Sequence, residues 1–293
     1  LTTTANGTVN LYAQWTINQY TITCNPMGGE FSTGLTTNWT TIVNYNTVPN
    51  VPNNVDKPGY TFIGWSTSET GGEVITESNL PAATRDVTYY AQFTANNYTV
   101  IYNPNGGSLL GGPASITSNN LIPYPFTETT LTRNGITFTD NGDGTITVTG
   151  TVESGKTNAV FNIMGNGATI SFPLGYYRIG SGVSTTLNAY FCTNNTTTGR
   201  DPGGIKIFEF TSANNLSGLK IRIGAGVTLP AAGLVFRPSL ERISQHTYDT
   251  ASNLSSNVFV REGYKFLGWS TNKDATTAQY TDGDEITKLA ASG

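Results

Sequence analysis

The chain has 293 residues, enough for two or three domains that each bury a core. Charged residues make up 12% and hydrophobic residues 37%, while Thr and Asn supply about a quarter, a polar but uncharged balance that favours strands joined by turns. A net charge of −4 with no basic stripe, no apolar run near the roughly 18 residues of a membrane helix, and two distant cysteines, Cys24 and Cys192, argue against nucleic-acid binding, membrane insertion, a disulfide framework and a metal site.

Residues 1–16 contain Val9, Leu11, Ala13 and Trp15 alternating with more polar neighbours, the period of a half-buried strand. Tyr20, Ile22 and Cys24 alternate in the same way, with Cys24 read as a small buried thiol. Pro58-Gly59 opens a strand through Tyr60 and Phe62, where Gly64 predicts a bulge that turns Trp65 onto the core. The stretch 67–85, broken by Gly71-Gly72 and Pro81, has room for one or two short helical turns. Val87, Tyr89, Ala91 and Phe93 then repeat the first pattern, and Tyr98, Val100 and Tyr102 repeat the second.

These recurrences have a fixed spacing. Leu11-Tyr-Ala-Gln-Trp-Thr16 returns as Tyr89-Tyr-Ala-Gln-Phe-Thr94, and Asn25-Pro-Met-Gly-Gly29 as Asn103-Pro-Asn-Gly-Gly107, both displaced by 78. Gly59-Tyr-Thr-Phe-Ile-Gly-Trp-Ser-Thr67 returns as Gly263-Tyr-Lys-Phe-Leu-Gly-Trp-Ser-Thr271, displaced by 204. The 126 residues by which the second displacement exceeds the first are a domain's worth of chain, placed after a Gly-rich turn where insertion is tolerated. The expected organisation is therefore the last strand of a preceding repeat (1–16), a repeat (17–95), a second repeat split into 96–110 and 244–293, and an inserted domain (111–243). On this reading the chain is a window on a longer array, with neighbouring repeats as its partners.

Within the insert, 136–139 and 145–149 flank Asp140-Asn-Gly-Asp-Gly144 as a hairpin. Further strands are expected at 159–163, 169–172, 176–179, 186–192, 205–210, 220–223 and 234–240. So many short antiparallel strands predict a β-sandwich of jelly-roll type. After the insert, His246 is the lone histidine and is read as a partly exposed strand residue, and Asp282-Gly-Asp-Glu285 reads as a solvated turn. A Ser-His-Asp, Cys-His or His-rich zinc mechanism would have to use His246, which leaves a carboxylate pair as the weak enzymatic option. The expectation is no enzyme and no cofactor.

The Tyr-Thr-Ile-Thr-x-Asn-Pro-x-Gly-Gly run, Lys57-Pro-Gly-Tyr-Thr-Phe-Ile-Gly-Trp-Ser66 and the closing Tyr-Ala-Gln-Trp/Phe-Thr together resemble the Listeria-Bacteroides repeat, similar to the internalin B-repeat module. The resemblance implies small β-grasp (α+β) modules in tandem on secreted or surface proteins of bacteria, or on phage proteins, with a stalk or adhesion role and no catalytic residues to carry over. The overall expectation is a mainly β chain of β-grasp-like repeats carrying an antiparallel sandwich. The Asn134-to-Thr145 hairpin and Val235-Phe-Arg-Pro-Ser-Leu-Glu241 resemble carbohydrate-binding-like sandwiches of phage virion and gut bacterial surface proteins, implying a glycan or cell-surface ligand.

Sugar recognition needs an exposed aromatic face with a few polar groups beside it. Candidates are Tyr176 and Tyr177, of which one must point outward, and Tyr190 beside Phe191, with Arg178, Arg200 and Asp201 to orient hydroxyls. Asp140 and Asp143 offer a calcium reading, but hairpin-turn geometry explains the same residues. A purely structural spacer that binds no sugar is the alternative.

Overall fold

The structure, a computed structural model, describes residues 5–109, 120–122, 124–164, 173–193, 205–210 and 218–290. They fall into two compact units, one drawn from Leu1–Tyr98, Thr247–Thr250 and Thr287–Gly293, the other from Thr99–His246 and Ala251–Ile286. The architecture is mainly β. A single 3-10 turn at Glu77–Asn79 is the helical element among the described residues, less than an α+β repeat would carry.

The first unit contains β1 (Gln19–Asn25), β2 (Glu30–Phe31), β3 (Trp39–Asn44), β4 (Val55–Asp56), β5 (Tyr60–Ser66) and β6 (Val87–Ala95). Four of these form a sheet in the order β3-β1-β6-β5, with β6 parallel to β1 and antiparallel to β5. Alternation sets its buried face: Ile22 and Cys24 from β1, Tyr89 and Ala91 from β6, and Trp65 from β5 join Phe31, Val55 and Leu80 in one core. Burial pushes the Cys24 thiol up to about 12, so it is protonated at neutral pH. The expected bulge is present, because the β5–β6 register slips between Phe62 and Gly64. Gly64 has φ +136°, and a Cβ there would lie 2.7 Å from the Ile75 carbonyl oxygen. Only glycine fits where Trp65 exchanges backbone hydrogen bonds with Ile75. Residues 7–18, by contrast, form no strand, and Leu11 and Trp15 are 85% and 91% exposed. Their alternation is that of a strand, but no described residue offers them a hydrogen-bonding ladder.

β7 (Asn97–Tyr102) leads into the second unit, which contains β8 (Ser108–Leu109), β9 (Leu131–Arg133), β10 (Ile136–Asp140), β11 (Ile146–Gly150), β12 (Asn158–Met164), β13 (Gly175–Gly180), β14 (Ala189–Thr193), β15 (Ile205–Phe210), β16 (Leu219–Gly224), β17 (Leu234–Phe236), β18 (Ser239–Thr247), β19 (Ser252–Asn253), β20 (Phe259–Val260) and β21 (Glu285–Ile286). Its larger sheets run β17-β11-β10-β9, β12-β16-β14 and β15-β13-β18-β7. The first two share a core: Phe138 of β10 stacks on Phe161 of β12 with ring centres 5.5 Å apart, and both are fully buried. The stretch read as one strand over 234–240 is two, because Pro238 has no N–H with which to continue the ladder. β18 then runs unbroken past residue 243. The expected strand at 169–172 lies outside the described residues.

Pairings of the first unit recur in the second with the sequence displacements. Phe31 opposes Val55, and Leu109 opposes Phe259, displaced by 78 on one strand and 204 on the other. Gly268 has φ +135° where Gly64 has +136°, and Trp269 bridges Tyr280 as Trp65 bridges Ile75. The Tyr102 ring lies 4.8 Å from that of Trp269, which also meets Phe259 and Phe266. Apart from the Trp269 bridge, however, 264–270 forms no strand, unlike its counterpart β5.

Candidate functional site

β13 separates its two tyrosines by alternation. Tyr176 is 45% exposed, whereas Tyr177 is fully buried and presents no face to a ligand. The Tyr177 ring packs on Phe208 and Phe210, lies 5.0 Å beneath the Arg242 guanidinium, and its hydroxyl donates to the Pro173 carbonyl at 2.9 Å. Burial pushes this phenol up to about 12 against the pull of Arg242. Arg178 faces Glu241 across the β13–β18 pair, and Nε and Nη2 both reach the Glu241 Oε2 at 2.6 Å. That guanidinium is committed to holding the sheet. Tyr190, half-buried on β14, lines a recess of about 20 Å³, room for about one water. Tyr176 does not line that recess. Arg200 and Asp201 lie outside the described residues.

The β10–β11 turn builds a better-formed hollow. Asp140 Oδ1 accepts the Gly142 N–H at 3.0 Å, while Asp143 Oδ1 accepts the Thr145 N–H at 3.0 Å and hydroxyl at 2.6 Å. These are Asx turns, in which the carboxylates bond their own backbone two residues on. The Thr145 hydroxyl and N–H, with help from Arg237, hold Asp143 below the usual carboxylate range. Among the described residues no group of three or more His, Cys, Asp or Glu gathers here as a cation would require. Beside the turn lies a cavity of about 250 Å³. Ile122 and Phe126 are buried in its wall, Tyr124 is half-buried, and Asp143, Arg237 and Ser239 supply polar groups. The Tyr124 hydroxyl donates to both Asp140 oxygens, at 3.1 and 3.3 Å, and burial together with that carboxylate raises its pKa. An aromatic, a carboxylate and a guanidinium around an apolar wall can hold one small polyhydroxylated unit.

Sequence reasoning singled out Asp143 for another reason and passed over Tyr124 and Arg237. Their signal is proline: Tyr124 sits between Pro123 and Pro125, and Arg237 precedes Pro238, so both are kept out of regular strands.

His246 corrects the expectation of partial exposure. It is 5% exposed, with Nε2 bonded to the Ser244 hydroxyl and Nδ1 to the Ser252 hydroxyl, both at 2.6 Å. Ser244 in turn meets the Tyr102 hydroxyl at 2.8 Å, and that oxygen accepts the Ser255 N–H. The chain of hydroxyls pins β7, β18 and the following loop together. Burial lowers the histidine pKa.

The Listeria-Bacteroides repeat domain matches residues 20–92, 98–140 and 239–291, more than half of the chain. The chain belongs to the Listeria-Bacteroides repeat family. A protein of Evansella cellulosilytica provisionally named a Gly-rich membrane protein is 38% identical over 102 residues, covering 33% of this chain and 12% of that protein. A second, provisionally named a membrane protein of the same organism, is 31% identical over 140 residues, 47% of this chain and 20% of the relative. Internalin H of Listeria monocytogenes is 37% identical over 99 residues, 33% of this chain and 15% of the relative. The chain thus spans a small part of the length of each. No solved structure matches it. The break in the Listeria-Bacteroides match between 140 and 239 spans Asp143 and Arg237 but not Tyr124, so part of the cavity wall lies outside the repeat signature.

Proposed function

We propose that this chain is a non-enzymatic part of an extracellular, surface-associated repeat protein, in which β-grasp-like repeats give reach and an inserted sandwich, residues 111–243, recognises a glycan. The recurrence of the Phe31–Val55 pair as Leu109–Phe259 supports a second repeat whose halves close around intervening chain. The relatives include an internalin and proteins provisionally named as membrane proteins, which supports a place at the cell surface. The single observation that carries recognition is the hollow formed by Tyr124, Asp143 and Arg237 beside an apolar wall.

A glycan array probed with the full 293-residue chain tests it. Binding should appear and should fall about tenfold, the 1.4 kcal/mol of one good contact, in Tyr124→Ala and in Arg237→Ala, while Tyr176→Ala leaves it unchanged. A silent array, or binding indifferent to both cavity variants, rejects the assignment. The second reading is a spacer without sugar binding. It is favoured by the commitment of Tyr177 and Arg178, two of the expected contacts, to internal packing and an ion pair.

A further inference from the structure

Most polar side chains around the hollow beside the β10–β11 turn are committed to the fold. Asn120 Oδ1 accepts the Ile122 and Leu240 N–H groups, and its Nδ2 donates to the Pro238 carbonyl. The Tyr124 hydroxyl donates to Asp140, the Thr145 hydroxyl to Asp143 Oδ1, and the Ser239 hydroxyl to the Gly180 carbonyl. Two groups remain. Among the described residues Asp143 Oδ2 accepts no hydrogen bond, and the Arg237 guanidinium has neither an ion-pair nor a hydrogen-bond partner. The Arg237 backbone is nonetheless fixed, its N–H donating to the Ser181 carbonyl at 2.7 Å. Two opposite charges thus line one cavity without pairing, so a ligand there meets an acceptor from one residue and donors from the other.

Charge narrows the ligand first. An anionic group would face Asp143, which its Thr145 bonds hold ionised, and a cationic group would face Arg237. A neutral group that offers one donor and one acceptor satisfies both. The rest of the wall narrows it further, because Ile122 and Phe126, 2% and 7% exposed, line the same cavity. A pair of hydroxyls would match the two charges and leave that apolar surface without a partner. An acetamido group carries an N–H, a carbonyl and a methyl in one rigid plane. We infer that the ligand of this hollow is an N-acetylated amino sugar, with its amide N–H donating to Asp143 Oδ2, its carbonyl accepting from Arg237 and its methyl packed on Ile122 and Phe126. The cavity of about 250 Å³ falls just below the ~300–1,000 Å³ of pockets for larger ligands and suits a single ring with its substituent. The inference rests on the glycan reading of the same hollow and specifies the class of sugar.

Ligand-detected NMR on the full chain tests this, with N-acetylglucosamine and N-acetylgalactosamine titrated against glucose, galactose and glucosamine. The acetylated sugars should bind at least about tenfold more tightly than the others, with the strongest saturation transfer at the acetyl methyl. Asp143→Asn keeps an oxygen for the Thr145 bonds but replaces the free oxygen with an NH2 donor, so it should remove that preference. The comparison among ligands needs no variant and decides the matter even where Asp143→Asn folds poorly. Equal binding of acetylated and unacetylated rings overturns the inference and leaves the glycan reading standing. A preference that survives Asp143→Asn also overturns it. So does an N-acetylated dipeptide amide that binds as well as the sugars, which would make the hollow a peptide site. If none of these sugars binds while the glycan array responds, this inference alone fails; silence in both experiments removes the glycan reading as well.

Discussion

At the scale of single residues, buried polar groups have consequences that a solution experiment can read. His246 is held neutral by burial, with a pKa below its ordinary 6.5. The unfolded chain therefore takes up a proton that the folded chain refuses, and stability should fall as pH drops below about 6.5, with no contribution from this group above that. Denaturation midpoints measured between pH 5 and 8 should show this slope, and His246→Gln should flatten it. Asp143, Asp249 and Asp284 lie below the usual carboxylate range, so their contribution is lost only in more acidic solution, and the two windows separate. Gly64 makes a second case. Its positive φ and the Ile75 oxygen 2.7 Å from a would-be Cβ mean that Gly64→Ala should cost about 2 kcal/mol in denaturant unfolding. Gly28→Ala, with φ +81° and nothing within 4 Å, should cost about 1 kcal/mol. Equal costs would show that close approach contributes nothing.

At the scale of elements, period-two alternation located β1, β5, β6 and β7, and Gly64 gave away the bulge, because local backbone geometry is written in local residues. What alternation cannot report is whether a partner strand is present. Residues 9–16 have the same letters as β6 yet remain unpaired, and 264–268 has the letters of β5 yet forms no ladder. Pairing is a property of two segments. Proline shows the opposite failing: the apolar run over 234–240 hid a break that Pro238 enforces. The hollow beside the β10–β11 turn was legible in part. Its turn residues are marked by Asn-Gly and Asp-Gly, whereas Tyr124 and Arg237 reach it from positions 21 and 92 residues away from Thr145. His246 was misjudged because its burial depends on Ser252 of β19, which meets it after a turn whose path the sequence does not reveal.

At the scale of the whole molecule, each compact unit has its own buried aromatic centre: Trp65 with Phe31 and Phe62 in one, Phe138 with Phe161 in the other. Phe138→Ala removes a fully buried ring and should cost about 3–5 kcal/mol. Calorimetry should show two transitions, of which this substitution lowers one and spares the other. A shift of both by the same amount would make the chain a single cooperative body. The displacements of 78 and 204 mark copied segments, because repeats copy whole elements with their spacing. They could not show where one module hands over to the next.

β18 bears on that handover. It continues from Ser239 to Thr247 without a gap, with Leu240 and Ile243 fully buried along it. Anyone wishing to excise the 111–243 stretch as a portable cassette, or to graft a foreign module in its stead, would be sawing through a hydrogen-bonded plank. A swap designed here must carry the whole strand with it.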